Sequence, residues 1–361
     1  MSWVGVNVQI EKLLRLMVET GASDLHLRAM RPPTLRIDGV LKAVEGTPNL
    51  TPSDLKEAFE HLTNENQRQS FSNDLELDFA YSIPDVARFR INAFMQRDTM
   101  SLAIRRVPFE VPTIEELGLP AICKTLALKP RGLVLVTGRT GTGKSTTLAA
   151  MIDHMNKNEA RNIITIEDPI EYIFQDEKSM IAQRDLGSDT KSFASALRHV
   201  LRQDPDVVLV GEMRDLETIA TAITAAETGH LVLSTLHTPS AALAIDRIID
   251  VFPPYQQEQI RLQLSLVLEG VISQILLRRA SGRGRVAAVE IMLGTDAVRN
   301  IIRESKIEQM HTYMQTGSQF GMQTMDQALQ NLVRSHLVTV EEALPFCTKP
   351  DELLGRRPNS R

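Results

Sequence analysis

Apolar and polar residues alternate along this chain with two distinct rhythms, and the change between them divides it. From Val8 to Val18 the apolar positions Ile10, Leu13, Leu14 and Met17 recur at steps of three and four, which predicts an amphipathic helix ended by Gly21. Short extended segments follow at Asp24 to Arg28 and Thr34 to Ile37, and Asp38-Gly39 is a two-residue hairpin signal leading into Val40. Thr51-Pro52-Ser53-Asp54 predicts the capped start of a second helix running to about Gln69. Alternation then returns. Leu75, Leu77, Phe79 and Tyr81 are expected on one face of a strand, as are Phe89 and Ile91 further on, so that Arg88 and Arg90 share the opposite face.

The proline-rich stretch from Val107 to Pro120 has little periodicity and reads as a linker at 107–120, separating an N-terminal domain at 1–106 from a larger one at 121–361. In the second domain the apolar runs Leu133 to Val136, Ile163 to Ile166, Val207 to Val210 and Leu231 to Leu233 are separated by helical patterns. That rhythm belongs to buried parallel strands with crossover helices, hence an α/β fold with a mostly parallel sheet. From Tyr255 the pattern reads as largely helical, with one strand-like segment at Val286 to Ile291 and a frayed end at Gly355 to Arg361.

Composition narrows the class. The 361 residues, 43% hydrophobic and 24% charged, are ordinary for a globular protein of about two domains. Forty basic against 45 acidic side chains, net charge -5, offer no general field for a polyanion. Two distant cysteines, Cys123 and Cys347, suggest neither a disulfide framework nor a zinc site, and fit a reducing cytoplasm. No apolar run approaches the ~20 residues of a membrane span, so a membrane role would require recruitment by partners.

The chemistry is concentrated at the ends of the predicted strands. Gly138-Arg139-Thr140-Gly141-Thr142-Gly143-Lys144-Ser145 matches G-x-x-x-x-G-K-[ST] at every fixed position, after a strand and before a helix that opens at Thr146. The glycines let backbone N–H groups curl around phosphates, Lys144 is placed to reach the β and γ oxygens of ATP, and Ser145 to ligate Mg²⁺. Glu167, Asp168 and Glu171 follow the second run, and Gly211-Glu212 ends the third in the manner of a Walker B strand, whose acid holds the metal through water. His237 follows the next strand and is a candidate γ-phosphate sensor. His230, at the opposite end of that segment, makes a zinc pair with it improbable. Phosphoryl transfer also draws on cations beyond the lysine and metal, for which Arg88, Arg90, Arg97 and Arg105 are candidates.

Together these residues resemble the secretion ATPase superfamily, and most closely its type IV pilus retraction motors. The resemblance rests on Ala22 to Leu27, Arg88 to Asn92, the phosphate loop, Ile166 to Glu171, Gly211 to Asp215, Thr228 to Thr238 and the terminal box Ala297 to Glu304. It implies a PAS-like N-terminal domain, a RecA-like ATPase domain, and a homo-hexameric ring with ATP sites between subunits. It also implies Glu167 as catalytic glutamate, Glu212 as Walker B acid, and N-terminal arginines completing the site. The expected partners are the inner-membrane platform protein of the pilus machine and a second retraction ATPase, the expected location the cytoplasmic face of the inner membrane, and no nucleic acid is expected.

Other readings remain at this point, among them an accessory paralogue of the retraction motor and a non-hydrolysing, ATP-gated scaffold, against which the presence of Glu167 and the arginines argues. Assembly and type II secretion ATPases generally carry a longer N-terminal region and a four-cysteine zinc element, which two cysteines cannot build. A DNA translocase could use Arg278, Arg279 and Arg283 to Arg285, but aromatics at 4% leave few stacking platforms. The terminal box, with Arg299 and Arg303, is expected to be a docking or coupling surface.

Overall fold

The computed structural model describes residues 10–37, 39–84, 86–107 and 110–353, so the expected frayed end lies outside the described residues. Contacts divide the chain into two units, one of Met1–Glu110 with Glu171–Ile173 and one of Val111–Ile170 with Phe174–Arg361.

The first unit runs α1 (Ile10–Glu19), β1 (Asp24–Arg28), β2 (Thr34–Ile37), β3 (Val40–Ala43), α2 (Pro52–Leu62), α3 (Glu65–Asp74), β4 (Glu76–Ile83), β5 (Ala87–Gln96) and β6 (Thr99–Val107). Its strands form one six-stranded sheet in the order β3-β2-β1-β6-β5-β4, and every pairing is antiparallel. The inward side chains of alternate positions, Leu25 and Leu27, Phe89 and Ile91, Leu102 and Ile104, bury against Leu13, Leu14 and Met17 of α1. Arg90 sits directly opposite Arg105 on β6, which in turn faces Asp24 on β1.

Two expectations are corrected here. The second helix does not reach Gln69. Thr51 caps α2 in a reciprocal capping box with Asp54, but Asn64 then opens α3 with a capping box of its own with Gln67. A residue that satisfies the orphan N–H groups of a new helix start ends the old one. Leu75 is the left-handed cap of α3, 56% exposed, rather than an inward strand residue.

The second unit contains α4 (Ile122–Ala127), β7 (Gly132–Thr137), α5 (Lys144–Asn158), β8 (Asn162–Glu167), β9 (Met180–Asp185), α6 (Phe193–Val200), β10 (Val207–Val210), α7 (Leu216–Glu227), β11 (Leu231–Leu236), α8 (Ala241–Asp250), α9 (Pro254–Val267), β12 (Leu268–Arg278), β13 (Arg285–Leu293), α10 (Asp296–Arg303), α11 (Met310–Thr316) and α12 (Met325–Arg334). The seven strands lie in the order β13-β12-β7-β11-β10-β8-β9. All pairings are parallel except that of β12 with β13. Every residue of β7, β10 and β11 is buried, because helices cover both faces of such a sheet.

The expectation of a largely helical region after Tyr255 is corrected at β12. Wedged between β7 and β13, β12 is buried at every position from Gly270 to Gln274, hence on both faces there. A strand in that position loses the alternation that distinguishes it from a buried helix. The arginine-rich stretch considered for nucleic acid is the turn of this β12–β13 hairpin, where Arg279 donates from Nε to the Arg285 carbonyl.

Candidate functional site

The carboxyl ends of β7, β8, β10 and β11 carry the gathered chemistry. After β7 the chain enters the loop Gly138 to Gly143 and then α5, a helix of 15 residues whose amino end opens on Lys144, Ser145 and Thr146. Glycine is required rather than tolerated here. Gly138 has φ 144° and a Cβ on it would fall 2.5 Å from the Gln274 carbonyl oxygen. Gly141 and Gly143 have φ 81° and 87°. Lys144 is buried, and its Nζ donates to the carbonyls of Gly138, at 2.9 Å, and Arg139, at 3.2 Å. Arg139 and Thr140 are exposed at the loop's crest. A buried ammonium curled within glycine-shaped backbone at a helix amino terminus is an anion cradle, and the residues present fit a nucleotide's phosphates.

Glu167 is the last residue of β8. The Thr165 hydroxyl donates to its carboxylate at 2.7 Å and the Gln183 amide at 3.3 Å, and both contacts orient it. Beside it the turn after β10 is fastened to both neighbouring strands. The Gly211 N–H donates to the Ile166 carbonyl at 2.8 Å, and the Thr235 hydroxyl donates to the Gly211 carbonyl at 2.6 Å. A Cβ at Gly211 would crowd the Ile166 carbonyl oxygen at 3.2 Å and touch the Glu167 Cα at 3.4 Å.

Glu212 is held differently. Arg214 reaches its two carboxylate oxygens with Nε at 2.6 Å and Nη2 at 2.7 Å. Burial, the largest influence, pushes the Glu212 carboxyl up. The Arg214 hydrogen bond and the charges of His237 and Arg214 outweigh it and leave the group below its ordinary value, hence ionised at neutral pH. His237 bridges this acid to the phosphate loop, with Nε2 3.3 Å from Glu212 and Nδ1 3.4 Å from the Thr140 hydroxyl. If Nε2 carries the proton toward the carboxylate, Nδ1 is left to accept from Thr140, so one tautomer satisfies both contacts.

Not every sequence candidate is gathered. His230 precedes β11 and is tied to the Ala225 carbonyl and the Thr228 hydroxyl at the strand's amino end. Arg88, Arg90, Arg97 and Arg105 belong to the first unit, as does Glu171. There Arg105 pairs with Asp24 at 2.9 Å, Arg97 sits in the β5–β6 turn at φ 46°, and Arg88 reaches toward Ser82.

The expected docking role of the terminal box is corrected for Arg299. Its guanidinium turns inward, donating to the carbonyls of Gly294 at 2.7 Å, Ser265 at 2.9 Å and Leu266, and pairing with Glu269 at 2.8 Å. It satisfies carbonyls at the carboxyl end of α9, where a cation is favoured. Arg303 is exposed, while Val298, Ile301 and Ile302 are buried in the core.

The residue that sequence reasoning missed is Gln274, on β12. Its amide donates to the Thr142 carbonyl at 2.6 Å and accepts from the Thr147 hydroxyl at 2.9 Å. The available signal was a lone glutamine within the apolar run Val271 to Leu277, because a buried amide must be satisfied by something.

Comparison with known proteins places the chain in one family. The sequence pattern of the Type II/IV secretion system protein family matches residues 5–344. The chain is 50% identical over 339 residues to the Type IV pilus retractation ATPase PilT of Pseudomonas aeruginosa, covering 93% of this chain and 97% of that one. It is 44% identical over 346 residues to the Type IV pilus ATPase PilU of the same organism, covering 96% and 90%. A crystal structure of the pilus retraction motor PilT with bound ADP superimposes with a TM-score of 0.89 at 47% identity, covering 97% of this chain and 100% of that one.

Proposed function

The chain belongs to the Type II/IV secretion system protein family, and we infer that it is an ATPase that drives type IV pilus retraction and hence twitching motility. The observation that carries the reading is the cradle around Lys144, carried on a fold shared along its length with an ADP-bound retraction motor.

In this reading Gly138 to Thr146 hold the phosphates of ATP. Lys144 and the loop N–H groups meet the β and γ oxygens, and Ser145 and Glu212 are the residues that would hold Mg²⁺. The Glu212 carboxylate, kept ionised beside Arg214, fits that task. When bound, the metal supplies neutralisation of charge on the transferred phosphoryl group. Glu167 is the base that orients and deprotonates the attacking water, because it ends β8 beside the Gly211 turn and is held by Thr165 and Gln183, whereas both carboxylate oxygens of Glu212 are engaged by Arg214. His237, in contact with both loop and acid, senses the γ-phosphate. Arg88, Arg97 and Arg105 are candidates for the further cation of phosphoryl transfer.

The working form is a homo-hexamer with sites completed by neighbouring subunits, so specific turnover should climb with protein concentration and then saturate. Among the described residues no helix is long and apolar enough to cross a membrane. In this reading the motor works at the cytoplasmic face of the inner membrane through the platform protein of the pilus machine, alongside a second retraction ATPase. The higher identity to the PilT relative than to the PilU relative favours the principal motor over an accessory one.

A cell-level experiment decides the direction of the motor. Cells lacking the protein should keep surface pili yet stop moving over surfaces, with motility restored by the wild-type gene and not by Lys144→Ala. Loss of the pili themselves would assign the protein to assembly.

A further inference from the structure

The amide of Gln274 stands where three parts of the nucleotide loop meet. Its backbone carbonyl is the atom that excludes a side chain at Gly138, and its Nε2 lies 3.3 Å from where a Cβ on Gly143 would be. Its side chain is 1% exposed and joins the loop, through the Thr142 carbonyl, to the first turns of α5, through the Thr147 hydroxyl, which is itself 2% exposed. A carboxamide is suited to this position because it presents a donor and an acceptor from one rigid plane. A carboxylate would set an oxygen against the Thr142 carbonyl oxygen, and an apolar side chain would leave that carbonyl and the Thr147 hydroxyl unpaired.

The strand beneath it is firmly placed. Residues Val271 to Ser273 pair with β7, the strand that feeds the loop, up to Ser273 opposite Thr137, and the other edge pairs with β13. At the amino end of β12, Glu269 is clamped between Lys129 and Arg299, each at 2.8 Å. A bulge between Leu268 and Gly270 absorbs the register change near that clamp, leaving Gln274 in regular pairing opposite Val289.

We propose that Gln274 is a positioning residue of the nucleotide site, holding Thr142 and Thr147 in one frame so that the loop is set for phosphate before nucleotide arrives. The proposal deepens the ATPase reading and rests on it. Gln274 touches no reacting atom. It acts through the loop backbone, so its removal should weaken nucleotide binding more than it slows the chemical step. The effect should also shrink when Thr147 can no longer donate to it.

The test is a double-mutant cycle on the full chain with Gln274→Met, which keeps volume and removes both hydrogen bonds, Thr147→Val, and the pair. ADP affinity is measured well below the melting temperature of each variant, and KM and kcat for ATP are measured beside it. Gln274→Met should weaken ADP binding about tenfold and raise KM by more than it lowers kcat, and adding Thr147→Val should weaken binding less than the product of the single effects. ADP affinity within twofold of wild type in Gln274→Met, or two effects that simply multiply, would overturn the proposal. Should Gln274→Met fail to fold, Thr147→Val alone decides, with ADP affinity weakened about fivefold expected and wild-type affinity contradicting it. Failure of wild-type protein to bind ADP would instead strike the ATPase reading, which keeps the two failures distinguishable.

Discussion

The two sheets of this chain place their polar residues by different rules. In the antiparallel sheet of the first unit charge lies on the sheet itself, where period two sets Arg90 opposite Arg105 and Arg105 opposite Asp24. In the largely parallel sheet of the second unit the central strands are buried along their length, and the candidate reactive groups stand at the strand ends, in Gly138 to Lys144, Glu167, Glu212 and His237. A sheet with one open face can distribute charge over it. A sheet covered on both faces must gather its chemistry at its edge of emergence, where backbone N–H groups and helix termini are also available.

If that contrast governs function, substitutions at the strand ends should strike catalysis and those on the open sheet should mostly adjust stability. The largest effect is expected from Lys144→Ala, which removes the buried cation from the cradle. ATP turnover should fall roughly a hundredfold or more, measured as phosphate release with folding confirmed by melting. Turnover near that of wild type would remove the phosphate loop from the mechanism.

Arg299→Ala should act next most strongly, and on stability. It unpairs several carbonyls and leaves Glu269 with Lys129 alone among its described ion pairs, a loss of about 2–4 kcal/mol that should lower the melting temperature by several degrees. Arg303→Ala, at an exposed position, should leave melting within about a degree. Equal melting of the two variants would return Arg299 to the docking surface.

A smaller effect than that of Arg299→Ala belongs to the open sheet. For Asp24, burial pushes the carboxyl up, but Ser23 and Arg105 outweigh it and hold it below the ordinary value of 3.8. A depressed folded pKa means stability that is present above the ordinary value and lost as pH falls through the folded one. Asp24→Asn should therefore cost roughly 0.5–1 kcal/mol near neutral pH, with the difference from wild type closing in acid. A difference that persists at low pH would show that packing, not charge, is what Asp24 contributes.

The same contrast explains what could be read from the chain. β1 and β2 were legible to the residue because one face is buried and one is not. The strands β7, β8, β10 and β11 were legible as apolar runs punctuated by glycine and acids, and the phosphate loop by its spacing alone. β12 was not, because burial on both faces erases alternation, and Gln274 was lost with it. The inward turn of Arg299 was equally hidden. An arginine in an amphipathic helix reads as surface until the carbonyls it caps, from Ser265, Leu266 and Gly294, are brought to it by the fold. What a sequence shows is the local pattern, and both Gln274 and Arg299 act on partners distant in the chain.

The most direct test of the account is ATP binding and phosphate release by Glu167→Gln beside wild type, in one preparation and at a protein concentration where specific turnover has saturated. The account predicts ATP bound with wild-type affinity and phosphate release slowed by about 10² to 10⁴. Release at the wild-type rate would contradict it and move the base away from the end of β8.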